Sequence, residues 1–190
     1  MTLEKMKNLS IEEQKTLIGK LKEIRNLAKV VNFSSVYGAG PPKIALTTGM
    51  PLSQAKKLHQ TYWNRNKAVK QVAASFKTKT THFEGEEQMW LLNPVSGFWY
   101  SLRYEKDKFS TGNQGTGVYC FDLYVKEVRK RGLKIMLQYH DEIAFPVLES
   151  AQEETVKKLN ESIIEVNRIL KLNVPLGISV DFGKKYSDIH

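Results

Sequence analysis

The sequence predicts an α+β chain with its helices first and a few strands after them. Three observations carry this. Apolar residues recur at helical spacing through the first 80 positions. From residue 83 the character changes to FEGEEQMWLLNPVSGFWYSLRY, an aromatic stretch broken by Asn93-Pro94 and Ser96-Gly97, as in a β-hairpin. The remaining strand candidates are few, too few for a complete sheet covered on both faces. The expected division is a helical segment over 1–80 and a mixed α+β segment over 81–190.

Ser10-Ile11-Glu12-Glu13 has the form of a capping box. It should open a helix with Leu17, Leu21, Ile24, Ala28 and Val31 as its inward stripe. Two glycines and two prolines in Tyr37 to Pro42 should stop that helix. A short helix is expected from Lys43. Gly49 to Ser53 should turn into a third helix through about Asn64, with Ala55, Leu58 and Tyr62 on one side, and a fourth over about 67–76. The polar stretch from Asp107 to Gly117 reads as a loop, followed by a helix from about Gln114 to Lys130 that stops at Gly132. Lys134 to Tyr139 and Ile143 to Val147 read as two strands of a hairpin. Ser150-Ala151-Gln152-Glu153 reads as a second capping box, opening a helix with Val156, Leu159, Ile163, Val166 and Leu170 inward. Asn173 to Phe182 reads as a last strand.

Composition narrows the possible functions. Apolar content is 41% and mean hydropathy is −0.40, so a packed core is within reach. No apolar run approaches the roughly 20 residues of a membrane span, and MTLEKMKNLS lacks the apolar centre of a signal peptide. One cysteine, Cys120, fits a reducing cytoplasm. The four histidines are scattered, without zinc-ligand spacing. The net charge is +9, and residues 1–80 hold fifteen Lys/Arg against four Glu. A basic half beside a near-neutral half that carries carboxylates suggests a polyanion partner.

Three constellations could carry chemistry. His140-Asp141-Glu142 interrupts an apolar stretch, MLQYHDEIAFPV, at the turn of the expected hairpin. There two carboxylates can meet a hydrated cation such as magnesium without being buried. One such pair cannot hold two ions, so a further carboxylate must come from elsewhere; the same turn could equally be a solvated one with no ligand. Arg25, Lys29, Phe33 and Tyr37 fall at steps of four and form a slanting band on the first helix. Cations for phosphates followed by rings for sugar or base suit a nucleotide; a solvated basic flank with two core aromatics has the same spacing. Lys106, Lys108, Ser110, Asn113 and Gln114 suit DNA phosphates and minor-groove acceptors, or an ordinary polar loop.

Together these segments resemble the family A DNA polymerases. The family's fingers motif, R-x3-K-x3-[FY]-x3-YG, matches from Arg25 to Gly38. Its palm motif, apolar-Q-x-H-D-E-apolar, matches Leu137 to Ile143. Asn113-Gln114-Gly115-Thr116 is similar to its QGT element, and VPLGISVDFGKKYSDIH to its closing strand and terminal histidine. Order and spacing agree over about residues 15–190.

The resemblance implies a helical fingers part and the C-terminal part of an antiparallel palm, with the nucleotide-binding helix at about 11–37. It implies Asp141 and Glu142 as ligands of two catalytic Mg²⁺ ions, and Arg25 and Lys29 on the triphosphate of an incoming dNTP, with Lys29 also helping pyrophosphate leave. Phe33 would face the sugar, and a Phe here goes with rejection of dideoxynucleotides. Tyr37 and Gly38 would border the template base. Lys106, Lys108, Ser110, Gln114, Gln138 and His140 would contact primer–template DNA. Lys106 stands where the family often has arginine, and Ser110 where it often has asparagine.

The family's other palm motif, D-x-S-x-x-E-x-R, normally precedes the fingers helix, yet none of the 24 residues before Arg25 fits it. The expectation is therefore one chain of a split DNA polymerase, phage-encoded and acting in the host cytoplasm. An N-terminal polymerase chain would bring the second aspartate and the thumb. A non-catalytic DNA-binding module derived from a polymerase is the alternative. A single-subunit RNA polymerase is disfavoured by Glu142 and Phe33.

Overall fold

The computed structural model describes residues 9–189. It is a mixed α+β chain, helices first and a mixed region after them, and its contacts group it into two compact units. One unit takes in the described residues up to Leu92 and Trp99–Gly112; the other takes in Asn93–Phe98 and the rest from Asn113. The aromatic hairpin thus clusters with the helices of the basic half.

In the first unit, α1 (Ile11–Val36) begins at Ser10, whose hydroxyl accepts from the Glu13 N–H while the Glu13 carboxylate accepts from the Ser10 N–H. The apolar stripe of α1 is not buried as its spacing suggested. Leu21 and Ile24 are 47% and 63% exposed, and only Val31 and Ser35 are buried. The reason is local: only the last turns of α1 meet α2 (Pro41–Thr48) and α3 (Leu52–Arg65), in a small core of Val31, Ile44 and Ala55. Proline opens α2 and is expected there, since its missing N–H would be unsatisfied anyway. Asn66 separates α3 from α4 (Lys67–Ser75).

A three-stranded antiparallel sheet follows: β1 (Thr78–Phe83), β2 (Glu86–Leu92) and β3 (Trp99–Leu102), in that order. The hairpin expected around Asn93 is β2–β3. β1 was not anticipated, although Glu84-Gly85, both at positive φ, is the two-residue turn that makes it. Leu91 and Leu102 bury one face of the sheet.

Lys108 already begins α5 (Lys108–Lys130), which corrects the expected polar loop. Three glycines made that stretch read as irregular. One of them, Gly112, is needed inside the helix: a Cβ there would lie 2.3 Å from Cζ of Phe76, so the missing side chain is what lets the ring approach.

The second unit pairs α5 with α6 (Gln152–Leu170) around Tyr124, Val128, Leu159, Ile163 and Val166. The expected inward face of α6 is therefore the buried one. Its expected capping box is absent, because 149–151 forms a turn of 3₁₀ helix and Ala151 takes the cap position. Between the helices lies a short hairpin, β4 (Leu137–Tyr139) and β5 (Glu142–Ala144), narrower than its apolar flanks suggested. Residues 173–182 form no strand: 173–174 bend, and 175–182 join no ladder among the described residues. Asn167 of α6 takes the place of a neighbouring strand: its amide donates to the Leu176 carbonyl and accepts from the Leu176 N–H, at 2.8 and 2.7 Å. Leu176, Ile178 and Val180 still alternate inward onto the core.

Candidate functional site

In the second unit the β4–β5 register pairs Gln138 with Ile143 and Tyr139 with Glu142, which leaves His140 and Asp141 as a two-residue turn. His140 sits at φ 50°, a left-handed conformation that histidine tolerates better than most residues. Its ring meets Tyr139 edge-on at 4.4 Å between centroids. Asp141 is exposed and Glu142 half-buried. The Tyr186 phenol hydrogen-bonds to Glu142, and its titration is pushed up by lost hydration and then by the Glu142 charge.

Asp141 and Glu142 open onto a groove of about 940 Å³ walled by β5, α6 and the 177–184 segment. Asp181 lines the same groove. Among the described residues no group of three or more His, Cys, Asp or Glu could hold a metal ion.

In the first unit Arg25, Lys29, Phe33 and Tyr37 all lie on α1 or at its end, and all are exposed. Phe33 and Tyr37 stack, with ring centroids 6.4 Å apart and planes 17° from parallel. Neither Arg25 nor Lys29 has an ion-pair partner among the described residues. Gly38, at φ 75°, has the Lys106 side chain beside it: a Cβ there would meet Lys106 Cδ at 3.6 Å. The fold thus brings together two expected DNA contacts 68 positions apart in sequence.

The neighbours of Lys106 are already committed within the protein. Lys108 pairs with Glu105 at 2.8 Å, which also holds the Glu105 carboxyl below its usual range. The Ser110 hydroxyl donates to the Asp107 carbonyl. Gln114 in α5 and Gln138 in β4, both of the second unit, are exposed.

The sequence reasoning missed two supports. Asn93 is fully buried, donates to the Thr116 hydroxyl at 2.9 Å and accepts from the N–H groups of Val95 and Ser96. It therefore ties the NPVSG loop to the helix that carries Gln114, and the Asn-Pro pair was its only signal. Tyr186 had none, because its link to Glu142 spans 44 positions of sequence.

The mixed α+β elements are compatible with a C-terminal fragment of a DNA polymerase, and the chain has curated relatives of that kind. No family model matches the chain. Nearly all of it, 97%, is 25% identical over 200 residues to DNA polymerase I of Helicobacter pylori strain J99, and 24% identical to that of strain 26695. DNA polymerase I of Borreliella burgdorferi is 24% identical over 182 residues, 88% of the chain. The chain spans about a fifth of the length of these relatives, 22%, 22% and 19% respectively. Among the described residues no helix is long and apolar enough to cross a membrane.

Proposed function

We propose that this chain is the C-terminal fingers-and-palm part of a family A DNA polymerase that adds dNMP to a primer 3′-hydroxyl on a DNA template. The observation that carries this is the β4–β5 turn, which presents Asp141 beside a Glu142 held by Tyr186, in a chain similar along nearly its whole length to one stretch of DNA polymerase I.

The residues fit magnesium as part of a site. Two adjacent carboxylates offer hard oxygen ligands of the kind it takes together with water and phosphate oxygens. Bound there, the metal would offset charge developing on the phosphate oxygens. The further carboxylate comes from a partner chain, outside these 190 residues. Arg25 and Lys29, both cationic and exposed, grip the triphosphate, and the stacked rings of Phe33 and Tyr37 offer a flat surface to sugar and base. Tyr37 and Gly38 border the template base, and Lys106, Gln114, Gln138 and His140 meet the primer–template duplex.

The test is primer extension by the chain reconstituted with an N-terminal polymerase chain carrying D-x-S-x-x-E-x-R. Extension should be lost with Asp141→Ala and fall strongly with Lys29→Ala. A reconstituted pair that extends no primer, or extends equally well with Asp141→Ala, removes the catalytic proposal. The non-catalytic alternative is favoured by one observation: the described residues of the first unit hold sixteen Lys/Arg and eight Asp/Glu, whereas those of the second hold eleven of each. It predicts DNA binding that is indifferent to Asp141.

A further inference from the structure

The solvent face of the β1–β2–β3 sheet has a composition that core packing does not explain. Directly opposed residues share a face of an antiparallel sheet, as do residues two apart along a strand. The register therefore places Lys79, Trp90 and Ser101 in one row, with Thr81 and Gln88 on one side and Leu92 and Trp99 on the other, all on the same face. The opposite face carries Leu91 and Leu102, which are buried. Two of the three tryptophans thus stand on the outer side, Trp99 exposed and Trp90 half-buried. Trp90 and Trp99 are diagonal neighbours, a pair roughly 7–8 Å apart and somewhat closer between Cβ atoms.

Polar contacts fix these rings. Trp90 Nε1 donates to Thr81 Oγ1 at 2.8 Å, and Gln88 Nε2 donates to Ser101 Oγ at 2.9 Å. The Lys79 ammonium rests over the Trp99 ring, 4.3 Å from its centroid. The carboxylates of Glu84, Glu86 and Glu87 gather at the far end, by the β1–β2 turn. The tryptophan end is therefore the end open to an anion, in the unit whose described residues carry the excess of positive charge.

We infer that this sheet face is a stacking platform for single-stranded nucleic acid. Unstacked bases lie on Trp99 and Trp90, as Lys79 swings off the Trp99 face to take a phosphate of the same strand. Every base has a π-face, so an aromatic pair with one cation binds without sequence preference, and a duplex with its bases stacked inside offers nothing equivalent. The inference does not rest on the polymerase reading, since a platform of this kind serves a catalytic or a non-catalytic chain.

Tryptophan fluorescence of the full chain, titrated with a (dT)₂₀ oligonucleotide at fixed salt, tests it. Binding should quench the emission. Trp99→Ala should weaken it by about 5- to 150-fold, the equivalent of one lost base–aromatic stack, and Trp99→Phe should keep most of it, which separates lost stacking from lost folding. Lys79→Ala should lower the slope of log affinity against log salt by about 0.7. The inference is overturned if (dT)₂₀ causes no quenching, if Trp99→Ala binds as tightly as the parent chain, or if a duplex of equal length competes as well as (dT)₂₀.

Discussion

The Tyr186 phenol hydrogen-bonds to the Glu142 carboxylate and so ties the C-terminal 3₁₀ turn to the base of the His140-Asp141 hairpin tip. The turn is itself closed by Asp188, whose Oδ2 accepts from the N–H groups of Lys184 and Lys185 at 3.1 and 3.2 Å. Gly183 lets it close so tightly, because a Cβ there would lie 2.7 Å from Cβ of Asp188.

The tie can be read by titration. Lost hydration raises the Tyr186 phenol above its ordinary value of 10.0, and the negative Glu142 raises it further, since a phenolate beside a carboxylate is disfavoured. Glu142→Gln removes the charge, so Tyr186 should ionise at lower pH. Tyrosinate absorbance, taken as the difference between each chain and its Tyr186→Phe counterpart, measures this. An unchanged or higher value would mean the two groups are not coupled in solution.

Gly112→Ala sets two effects against each other. Alanine in a helix interior favours folding by about 0.5–1 kcal/mol over glycine. Here its Cβ would fall 2.3 Å from Phe76 Cζ, and overpacking typically costs about 1–3 kcal/mol. The clash should win, with a lower denaturation midpoint for Gly112→Ala and partial recovery when Phe76→Leu is added. A more stable single variant would show that the ring moves aside freely.

Ser35→Ala should act the other way. Ser35 is fully buried in α1, and its hydroxyl has no hydrogen-bond partner among the described residues. An unsatisfied buried hydroxyl costs about 1–3 kcal/mol, and alanine is also the better helix former. Thermal unfolding should shift upward. A downward shift would mean that the hydroxyl is satisfied in solution.

Glu127 ties α5 internally and, through Arg131, to α6. Its carboxylate accepts from Lys130 at 2.7 Å and from Arg131 at 3.1 Å, and Arg131 also donates to the Glu161 carbonyl. The Lys130 hydrogen bond, with Arg131 adding to it, holds the Glu127 carboxyl below its usual 4.5. A lowered carboxyl stabilises the fold fully above the unfolded value and loses that contribution as pH falls through the folded one. Glu127→Gln should therefore cost about 1–3 kcal/mol at neutral pH. The gap between the two chains should close below about pH 4.5 in denaturant titrations. A gap of constant size at all pH values would assign the loss to packing instead.

How much of this could be read from the sequence depended on the range of the interaction. The capping box at Ser10, the breaks at Gly40 and Asn66, the Gly132 stop and the buried face of α6 are set by neighbours a few positions away, and they formed as expected. The Arg25–Tyr37 band and the His140-Asp141 turn were legible for the same reason. The failures involve distant partners. Gly112 reads as a loop residue until Phe76 is known to need its space. The 173–182 pattern reads as a strand until Asn167 is found in the place of a neighbouring strand. The α1 stripe reads as core, but spacing says which residues share a face and not whether anything covers it. Lys106 beside Gly38 and Tyr186 on Glu142 are contacts that only the folded chain makes.

With 26 residues at 1.5 Å each, α1 is a rod about 39 Å long. It is clamped at one end, where Val31 packs with Ile44 and Ala55, and the rest stands in solvent. Mechanically it is a cantilever, with Arg25 and Lys29 just outboard of the clamp. A tilt of about 15° at the clamp would sweep the far end, about 30 Å away, through roughly 8 Å. A probe at Ile11 would therefore magnify small adjustments around Lys29 into displacements that energy-transfer measurements resolve.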